Sequence, residues 1–165
     1  MSCSLNDITI RTQLQPGDIG YLIYLHGWLY HKEYNYQMQM ELYIADGMSE
    51  FCHHYDAQKD AVWIAEHNNR MVGFVLLMHR PNNAAQLRYF LIHPDYRGIG
   101  LGKKLMNLYM DFLRQQQYAS SYLWTTSDLH TAAALYKKNG FVLTEEKPSA
   151  FVGIPVVEQK YEWRS

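Results

Sequence analysis

The fold of this chain is decided by the stretch His93–Lys104, which reads His-Pro-Asp-Tyr-Arg-Gly-Ile-Gly-Leu-Gly-Lys-Lys. Gly98, Gly100 and Gly102 alternate with larger residues, so the backbone can take positive φ and approach a ligand without Cβ clashes. The free amides at the start of the predicted helix, with an arginine and a lysine of the same stretch, favour a bound phosphate or pyrophosphate. The sequence therefore predicts an anion-binding turn between a strand and a helix.

The spacing of this turn excludes the two commonest nucleotide loops. A P-loop needs Ser or Thr directly after Gly-Lys, and here Gly102 and Lys103 are followed by Lys104. A dinucleotide-binding fingerprint needs a third glycine three residues after the second, and counting from Gly100 that position is Lys103. A nucleotide-binding enzyme is therefore a weak interpretation of this turn.

The composition predicts a single small domain, residues 1–165. The chain has 165 residues, is 48% hydrophobic and carries a net charge of −1, so it offers no basic field for nucleic acid. No apolar run reaches the length of a membrane span, and no signal-peptide core is present, so we expect a cytoplasmic protein without a membrane contact. Two cysteines and eight histidines lack any metal-ligand spacing, and no metal is expected.

Hydrophobic periodicity and turn residues predict helices and strands along the whole chain. In chain order the predicted elements are a strand at 8–11, a helix from about 16 to 26 that Gly27 stops, a helix at about 37–51, strands at 62–67, 71–78 and 86–92, a helix at about 102–117, a strand at 122–126, a helix capped by Ser127 or Asp128, and strands at 141–146 and 156–163.

Two segments resemble the GCN5-related N-acetyltransferases (GNAT). The glycine-rich turn is similar to that family's acetyl-CoA loop, in which a hydrophobic strand and Pro precede Arg or Gln, Gly, x, and Gly or Ala. The segment 135–141, Leu-Tyr-Lys-Lys-Asn-Gly-Phe, is similar to the family's Leu-Tyr-x-x-x-Gly-Phe. The predicted order of elements is also that of the family. The resemblance implies an α+β fold in α/β/α layers, with a mixed, mostly antiparallel central sheet, helices on both faces, and splayed strands 4 and 5.

The resemblance extends over the chain to the acetyltransferase module often fused to MarR-type regulators. It rests on 17–20, 26–27, Tyr30, 33–34 and 153–163. The first predicted strand begins within about ten residues of Met1, which leaves no room for a winged helix. We therefore expect the module to stand alone here, without DNA binding.

The resemblance implies acetyl-CoA as donor and an amine acceptor, with direct transfer of the acetyl group to a primary amine of a small molecule or protein. Main-chain groups of the fourth sheet strand would bind the pantetheine arm, and an amide near Leu91 would polarise the thioester carbonyl. The cofactor-binding residues that the resemblance implies are Phe90, Leu91, Ile92, Arg97, Gly98, Ile99, Gly100, Leu101, Gly102 and Lys103.

By the same resemblance, Tyr136 is the general acid that protonates the leaving CoA thiolate. The general base is less well defined, because Gln86 and Trp124 stand where histone-type and ribosomal-protein-type members carry a glutamate. Glu33 is the preferred base, since it falls in the predicted connection between the first two helices, where Tyr30, Tyr34 and Tyr36 would line the acceptor site. The remaining candidates are His26, His31 and Glu66, acting directly or through a water.

Several alternatives stay open at this point. The missing acids also fit a non-catalytic acyl-CoA-binding or sensor module with the same fold, although Tyr136 favours an enzyme. A small amine, an amino acid, an antibiotic-like molecule and a protein lysine all remain as acceptors, since fold does not choose among them. A homodimer is also open, and the predicted last strand, 156–163, would pair across its interface if it lies at the edge of the sheet.

Overall fold

The computed structural model describes residues 3–165, which form four α-helices and one seven-stranded sheet. The elements are β1 (Thr9–Arg11), α1 (Asp18–Tyr34), α2 (Gln39–His53), β2 (Ala61–His67), β3 (Arg70–Arg80), β4 (Ala84–Ile92), α3 (Leu101–Gln115), β5 (Ser120–Thr126), α4 (His130–Lys138), β6 (Val142–Ser149) and β7 (Val156–Arg164). Short 3₁₀ turns lie at Leu5–Asp7 and Pro94–Tyr96. Among the described residues, no helix combines the length and the apolar character that crossing a membrane would need.

The strands lie in the order β1-β2-β3-β4-β5-β7-β6. Only β4 and β5 run parallel, and every other neighbouring pair in this sheet is antiparallel. Helices α1 and α2 cover one face and bury residues such as Leu22, Ile44 and Met48 against it. Helices α3 and α4 cover the other face, where Leu105 and Tyr136 are buried. The predicted mixed sheet with helices on both faces is confirmed.

Helix α3 follows the glycine-rich turn and lies on the sheet through one apolar face. Leu101, Leu105, Tyr109 and Leu113 recur every four residues and are each at most 1% exposed. Burial of this stripe fixes the helix against β2, β3 and β4, and it therefore fixes where the first turn of the helix points. That turn is the part of the molecule that the sequence predicts to bind an anion.

The prediction that Gly27 stops the first helix is wrong, because α1 continues to Tyr34. A Cβ at position 27 would lie 2.5 Å from Cγ of Glu41 on α2, so this glycine allows the two helices to approach each other closely. The helix ends instead at Asn35, whose φ of 58° is left-handed. The stretch from Trp28 to Tyr34, predicted as a connection, is therefore helical.

Two smaller expectations also need correction. No side chain caps α4 at its N-cap Leu129, and Asp128 instead accepts a hydrogen bond of 2.8 Å from the hydroxyl of Tyr36. Strand β7 is not an edge strand, because it pairs with β5 on one side and β6 on the other. The exposed edge at this end of the sheet is β6, so β7 has no free edge with which to pair across an interface.

Candidate active site

The central strands separate at a bulge in β4. The parallel ladder between β4 and β5 covers only Ala84–Gln86 and Ser120–Tyr122, and beyond it the two strands diverge. On the other side of β4 the register shifts between Phe74 and Leu76, and Tyr89 has a φ of +59°. The bulge therefore opens a wedge in the sheet, as predicted for strands 4 and 5.

Alternation along the antiparallel ladder indicates which main-chain groups face this wedge. The amide of His93 donates to the carbonyl of Val72 at 2.8 Å, and Leu91 is paired with Phe74 in the same register. Residues two apart on a strand point their amides in the same direction, so Leu91 also faces β3. The main-chain groups of Phe90 and Ile92 face the β5 side, where no strand pairs with them. An amide that polarises an acyl group in the wedge would therefore come from a neighbour of Leu91.

A cavity of about 510 Å³, here called the loop cavity, lies between the end of β4, the glycine-rich turn and the start of α4. Nine of the ten predicted cofactor-binding residues line it, namely Phe90, Leu91, Ile92, Arg97, Gly98, Gly100, Leu101, Gly102 and Lys103. Ile99, the tenth, packs instead against the core beneath α3. Lys138 of α4 adds a second lysine to the wall of the loop cavity.

Two of the three glycines of the turn have the positive φ that the sequence predicts, whereas Gly102 lies inside α3 and does not. Gly98 and Gly100 have φ values of +80° and +89°, in the left-handed region that favours glycine. Gly100 is the N-cap of α3, and its carbonyl accepts the first helical hydrogen bond from Lys104 at 3.0 Å. The preceding amides at the helix start have no partner within the helix, so they are available to an anion in the loop cavity.

Arg97, the arginine of this turn, is tied to the end of α1. Its guanidinium donates to both carboxylate oxygens of Glu33, at 2.8 and 3.0 Å. This pairing raises the pKa of Arg97 further above its ordinary value. Glu33 thus lies on the wall of the loop cavity and also holds one of the cations that face it.

A second cavity of about 90 Å³, here called the strand cavity, occupies the wedge between β4 and β5. Its wall is largely aromatic and includes Tyr30, Tyr36, Tyr43, Tyr89, Phe90, Trp124, Tyr136 and Phe151. Four residues, Tyr30, Phe90, Leu129 and Ala132, line both the strand cavity and the loop cavity. The two cavities therefore adjoin at these four residues, here called the shared wall, and groups bound in the two cavities would approach each other there.

Tyr136 lies in the wall of the strand cavity, with only 5% of its surface exposed. Its ring packs edge-on to Phe90, and Phe141 and Tyr161 pack behind it. Burial raises the pKa of this phenol far above its ordinary value. The hydroxyl therefore stays protonated at neutral pH and has a proton to donate.

The candidate bases lie in three different places. His26 lines the strand cavity, and its Nδ1 lies 2.9 Å from the carbonyl of Leu22, so Nδ1 carries the proton and Nε2 the lone pair. Burial lowers the pKa of His26 to about 4, which keeps the ring neutral. Glu33 lines the loop cavity. Glu66 and His31 line neither cavity. Glu66 forms an ion pair with Arg11 at 2.8 Å, and Nδ1 of His31 donates a hydrogen bond to the carbonyl of Tyr36.

Gln86 and Trp124 both line the strand cavity, where related acetyltransferases were expected to place a glutamate. The side-chain oxygen of Gln86 accepts hydrogen bonds from Arg80, so this amide is fixed in position. Among residues 3–165, no cluster of three or more His, Cys, Asp or Glu side chains is arranged to hold a metal ion.

Sequence reasoning missed Arg88, which lines the strand cavity and is only 11% exposed. The sequence contains a signal for this residue. Arg88 is the one charged side chain between Leu87 and Ile92, on a strand that is buried on both faces. Gly47 was a second missed signal. A Cβ there would overlap the hydroxyl of Tyr89 and come within 2.8 Å of the guanidinium of Arg88.

Comparison with known proteins agrees with this geometry. Residues 24–141, more than half of the chain, match the acetyltransferase (GNAT) family. N-acetyltransferase 8F1 of Rattus norvegicus is 28% identical over 127 residues, which cover 72% of this chain and 58% of that protein. The uncharacterized N-acetyltransferase YjgM of Escherichia coli (strain K12) is 31% identical over 102 residues, which cover 59% of this chain and 61% of that protein. The chain thus spans about three fifths of the length of these two relatives.

Solved structures share the fold over almost the whole chain. An acetyltransferase from Streptococcus agalactiae 2603 has a TM-score of 0.79 at 22% identity, covering 98% of this chain and 100% of that one. A GNAT family acetyltransferase from Elizabethkingia anophelis, solved with acetyl-CoA bound, has a TM-score of 0.67 at 15% identity, covering 97% and 99%. The matched family model, the splayed strands and the glycine-rich turn lead to one conclusion: this chain belongs to the acetyltransferase (GNAT) family.

Proposed function

We propose that this protein is an acetyl-CoA-dependent N-acetyltransferase that passes the acetyl group directly to a primary amine of a small molecule or protein. The observation that carries the proposal is the shared wall between the two cavities. A donor held beside the anion-binding turn and an acceptor held beside Tyr136 would meet at Phe90, in the wedge where β4 and β5 separate. Bringing two reactants together in this way lowers the entropic part of the barrier.

The loop cavity fits acetyl-CoA in shape and in charge. The amides at the start of α3 and the side chains of Lys103 and Lys138 suit a pyrophosphate. The main-chain groups of Phe90 and Ile92 suit the amides of a pantetheine arm, which would act as the missing strand next to β4. Ile99 would support the turn from beneath, through its packing against the core.

The residues of this chain have three tasks in the reaction. The donor supplies a thioester, in which the acetyl carbon is bound to sulfur. The amine nitrogen forms a bond to that carbon, the carbon–sulfur bond breaks, and Tyr136 gives its proton to the departing sulfur. The amine loses one proton to a base, and an amide beside Leu91 stabilises the negative charge on the carbonyl oxygen.

For the base we propose Glu33, with His26 as the alternative. Glu33 lies next to Tyr30 and Tyr34 on the wall of the loop cavity. Its ion pair with Arg97 means that proton transfer to Glu33 would weaken the contact between α1 and the glycine-rich turn. His26 has a free lone pair on Nε2 in the strand cavity, but a ring whose pKa is about 4 is a weak base.

The related structures support acetyl-CoA as the donor, and they do not identify the amine that accepts the acetyl group. The structure of yncA from Salmonella typhimurium, at 19% identity, was also solved with acetyl-CoA. We further propose that the chain forms a single cytoplasmic domain that is similar to the acetyltransferase module often fused to MarR-type regulators. Homodimerisation remains part of this proposal and is tested by light scattering on the purified chain.

A non-catalytic acyl-CoA-binding module is the alternative, and two measurements separate the possibilities. A thermal-shift titration should raise Tm with acetyl-CoA and with CoA, since a ligand at a hundredfold excess over Kd stabilises by about 2.7 kcal/mol. An equal shift with ATP would contradict the donor assignment. CoA release that depends on an added amine supports the enzyme, whereas saturable acetyl-CoA binding without release supports the binding module.

A further inference from the structure

A buried arginine faces the strand cavity with part of its hydrogen-bonding capacity unused. Arg88 lies on β4 immediately before the bulge, and its side chain is 11% exposed. Its Nη1 donates to Glu50 at 3.0 Å, and its guanidinium lies 5.6 Å from the ring centre of Tyr43 and 5.0 Å from that of Tyr89. Its Nε is buried and has no hydrogen-bond partner among residues 3–165. An unpaired buried donor on an arginine is costly unless a ligand completes it.

The charges around Arg88 do not balance. Glu50 is its carboxylate partner, but Glu50 also pairs with Arg80. One carboxylate therefore faces two guanidinium groups. Glu158, the acidic residue on the opposite wall, lies 4.0 Å from Lys147, which offsets its charge. The β4 side of the strand cavity thus has a net positive charge that an anionic group would neutralise.

The backbone is shaped to keep Arg88 in this place. The bulge turns Arg88 and Tyr89 toward the same face of the sheet, where α2 covers them. Gly47 on α2 leaves the space that these two side chains occupy. Arginine is suited to this role because its planar fork matches a carboxylate with two parallel hydrogen bonds.

We propose that Arg88 binds a carboxylate of the acceptor, so that the acceptor is a small amino acid or another compact amine that carries a carboxylate. The inference rests on the proposed N-acetyltransferase activity and names its substrate class. The small volume of the strand cavity, about 90 Å³, favours a small molecule over a protein lysine. Arg88 precedes Phe90 by two residues, so at most about 7 Å of backbone separates the residue proposed to bind the carboxylate from the wall shared with the donor. A short acceptor spans that distance.

The test compares acceptors that differ only in the carboxylate. Amine-dependent CoA release is measured with the standard amino acids and with their carboxamides, using wild type, Arg88→Met and, as matched control, Arg80→Met, which removes the other partner of Glu50 and does not line the cavity. We expect wild type to prefer at least one acid over its amide, Arg88→Met to raise KM for that acid roughly ten- to a hundredfold, and Arg80→Met to keep the preference. Equal use of acids and amides by wild type would overturn the inference.

Further readouts keep the result interpretable if Arg88→Met folds poorly. Acetyl-CoA binding by calorimetry reports whether each variant is folded, and Arg88→Lys keeps the charge but loses the fork, so an intermediate KM supports carboxylate binding. An equal loss of acid and amide turnover in both Arg88 variants, with acetyl-CoA binding intact, refutes it. If no amine is acetylated by wild type, the proposed function fails. Binding of N-acetylated amino acids to wild type and not to Arg88→Met would then still support the carboxylate site, and its absence would refute that site too.

Discussion

Both carboxylate oxygens of Glu33 accept hydrogen bonds from the guanidinium of Arg97, at 2.8 and 3.0 Å, across 64 residues of sequence. This pair joins the last turn of α1 to the glycine-rich turn that faces the loop cavity. The candidate base, Glu33, therefore contacts the arginine of the turn that is proposed to bind the pyrophosphate. Two roles for Glu33, proton acceptor and anchor of the turn, therefore need to be separated by experiment.

The Glu33→Gln variant separates these two roles. As a base, Glu33 takes the proton that the amine loses, so the variant should lower kcat by about a hundredfold at saturating acetyl-CoA. Arg97→Gln is the matched control, because it breaks the same ion pair and leaves the carboxylate in place. An unchanged kcat in Glu33→Gln, with only KM for acetyl-CoA altered, would leave Glu33 as an anchor and make His26 the next candidate.

The Tyr136→Phe variant tests the general acid. Removing the hydroxyl should lower kcat by about a hundredfold and leave Kd for acetyl-CoA nearly unchanged, because the ring packing beside Phe90 is kept. Tyr161→Phe is the control, since Tyr161 packs on Tyr136 in the same buried cluster and does not line either cavity. Equal turnover in wild type and Tyr136→Phe, measured by CoA release, would remove Tyr136 from the reaction.

The Gly102→Ala variant tests whether the turn must stay free of side chains. A Cβ at position 102 would lie 3.8 Å from Leu135, an ordinary contact, so the fold should tolerate it. It would also project at the wall of the loop cavity, and we expect acetyl-CoA affinity to fall about tenfold or more, a loss of about 1.4 kcal/mol. Gly20→Ala is the control, because nothing lies within 4 Å of a Cβ there. Equal acetyl-CoA affinity of the two variants by calorimetry would show that the donor lies elsewhere.

Contact between Gly47 and Tyr89 predicts a coupled effect on stability. Gly47→Ala should lower the free energy of unfolding by about 1–3 kcal/mol, because its Cβ overlaps the hydroxyl of Tyr89. Tyr89→Phe alone should cost little, since that buried hydroxyl has no hydrogen-bond partner among the described residues. In the Tyr89→Phe background the cost of Gly47→Ala should shrink. Strict additivity in urea denaturation would argue against this contact.

Because folding keeps His26 neutral, the free energy of unfolding should depend on pH. Its folded pKa is lowered to about 4 by burial, from 6.5 in a free side chain, so the unfolded chain binds a proton that the folded protein does not. The stabilisation is complete above about pH 6.5 and is lost as the pH falls toward about 4. The change is on the order of 3 kcal/mol at most. His26→Asn should flatten this dependence in urea denaturation, whereas the exposed His54→Asn should not; matching profiles for wild type and His26→Asn would contradict the assignment.

The sequence predicts the parts of this molecule that depend on local pattern. The helix after the glycine-rich turn, the strands predicted at 62–67 and 71–78, and the positive φ of Gly98 and Gly100 all follow from short-range rules, and the structure has them. The splay of β4 and β5 was expected from a family resemblance, and the register of the strands confirms it.

Features set by tertiary contact could not be predicted in the same way. Gly27 looks like a helix stop in sequence, and only the approach of Glu41 explains why the helix continues through it. The pairing of Glu33 with Arg97 and the place of β7 inside the sheet depend on contacts between distant segments. Arg88 is identified as a site residue only when the bulge and α2 are seen to bury it beside the strand cavity.

The most direct test of the central claim is to follow the acetyl group itself. Purified protein is incubated with acetyl-CoA and a mixture of amino acids and simple amines, and the products are measured by mass spectrometry. The account predicts that CoA and one or more N-acetylated amines appear in equal amounts, only when both substrates are present, and far more slowly with Tyr136→Phe. Saturable binding of acetyl-CoA without any N-acetylated product, at every amine tried, would contradict it.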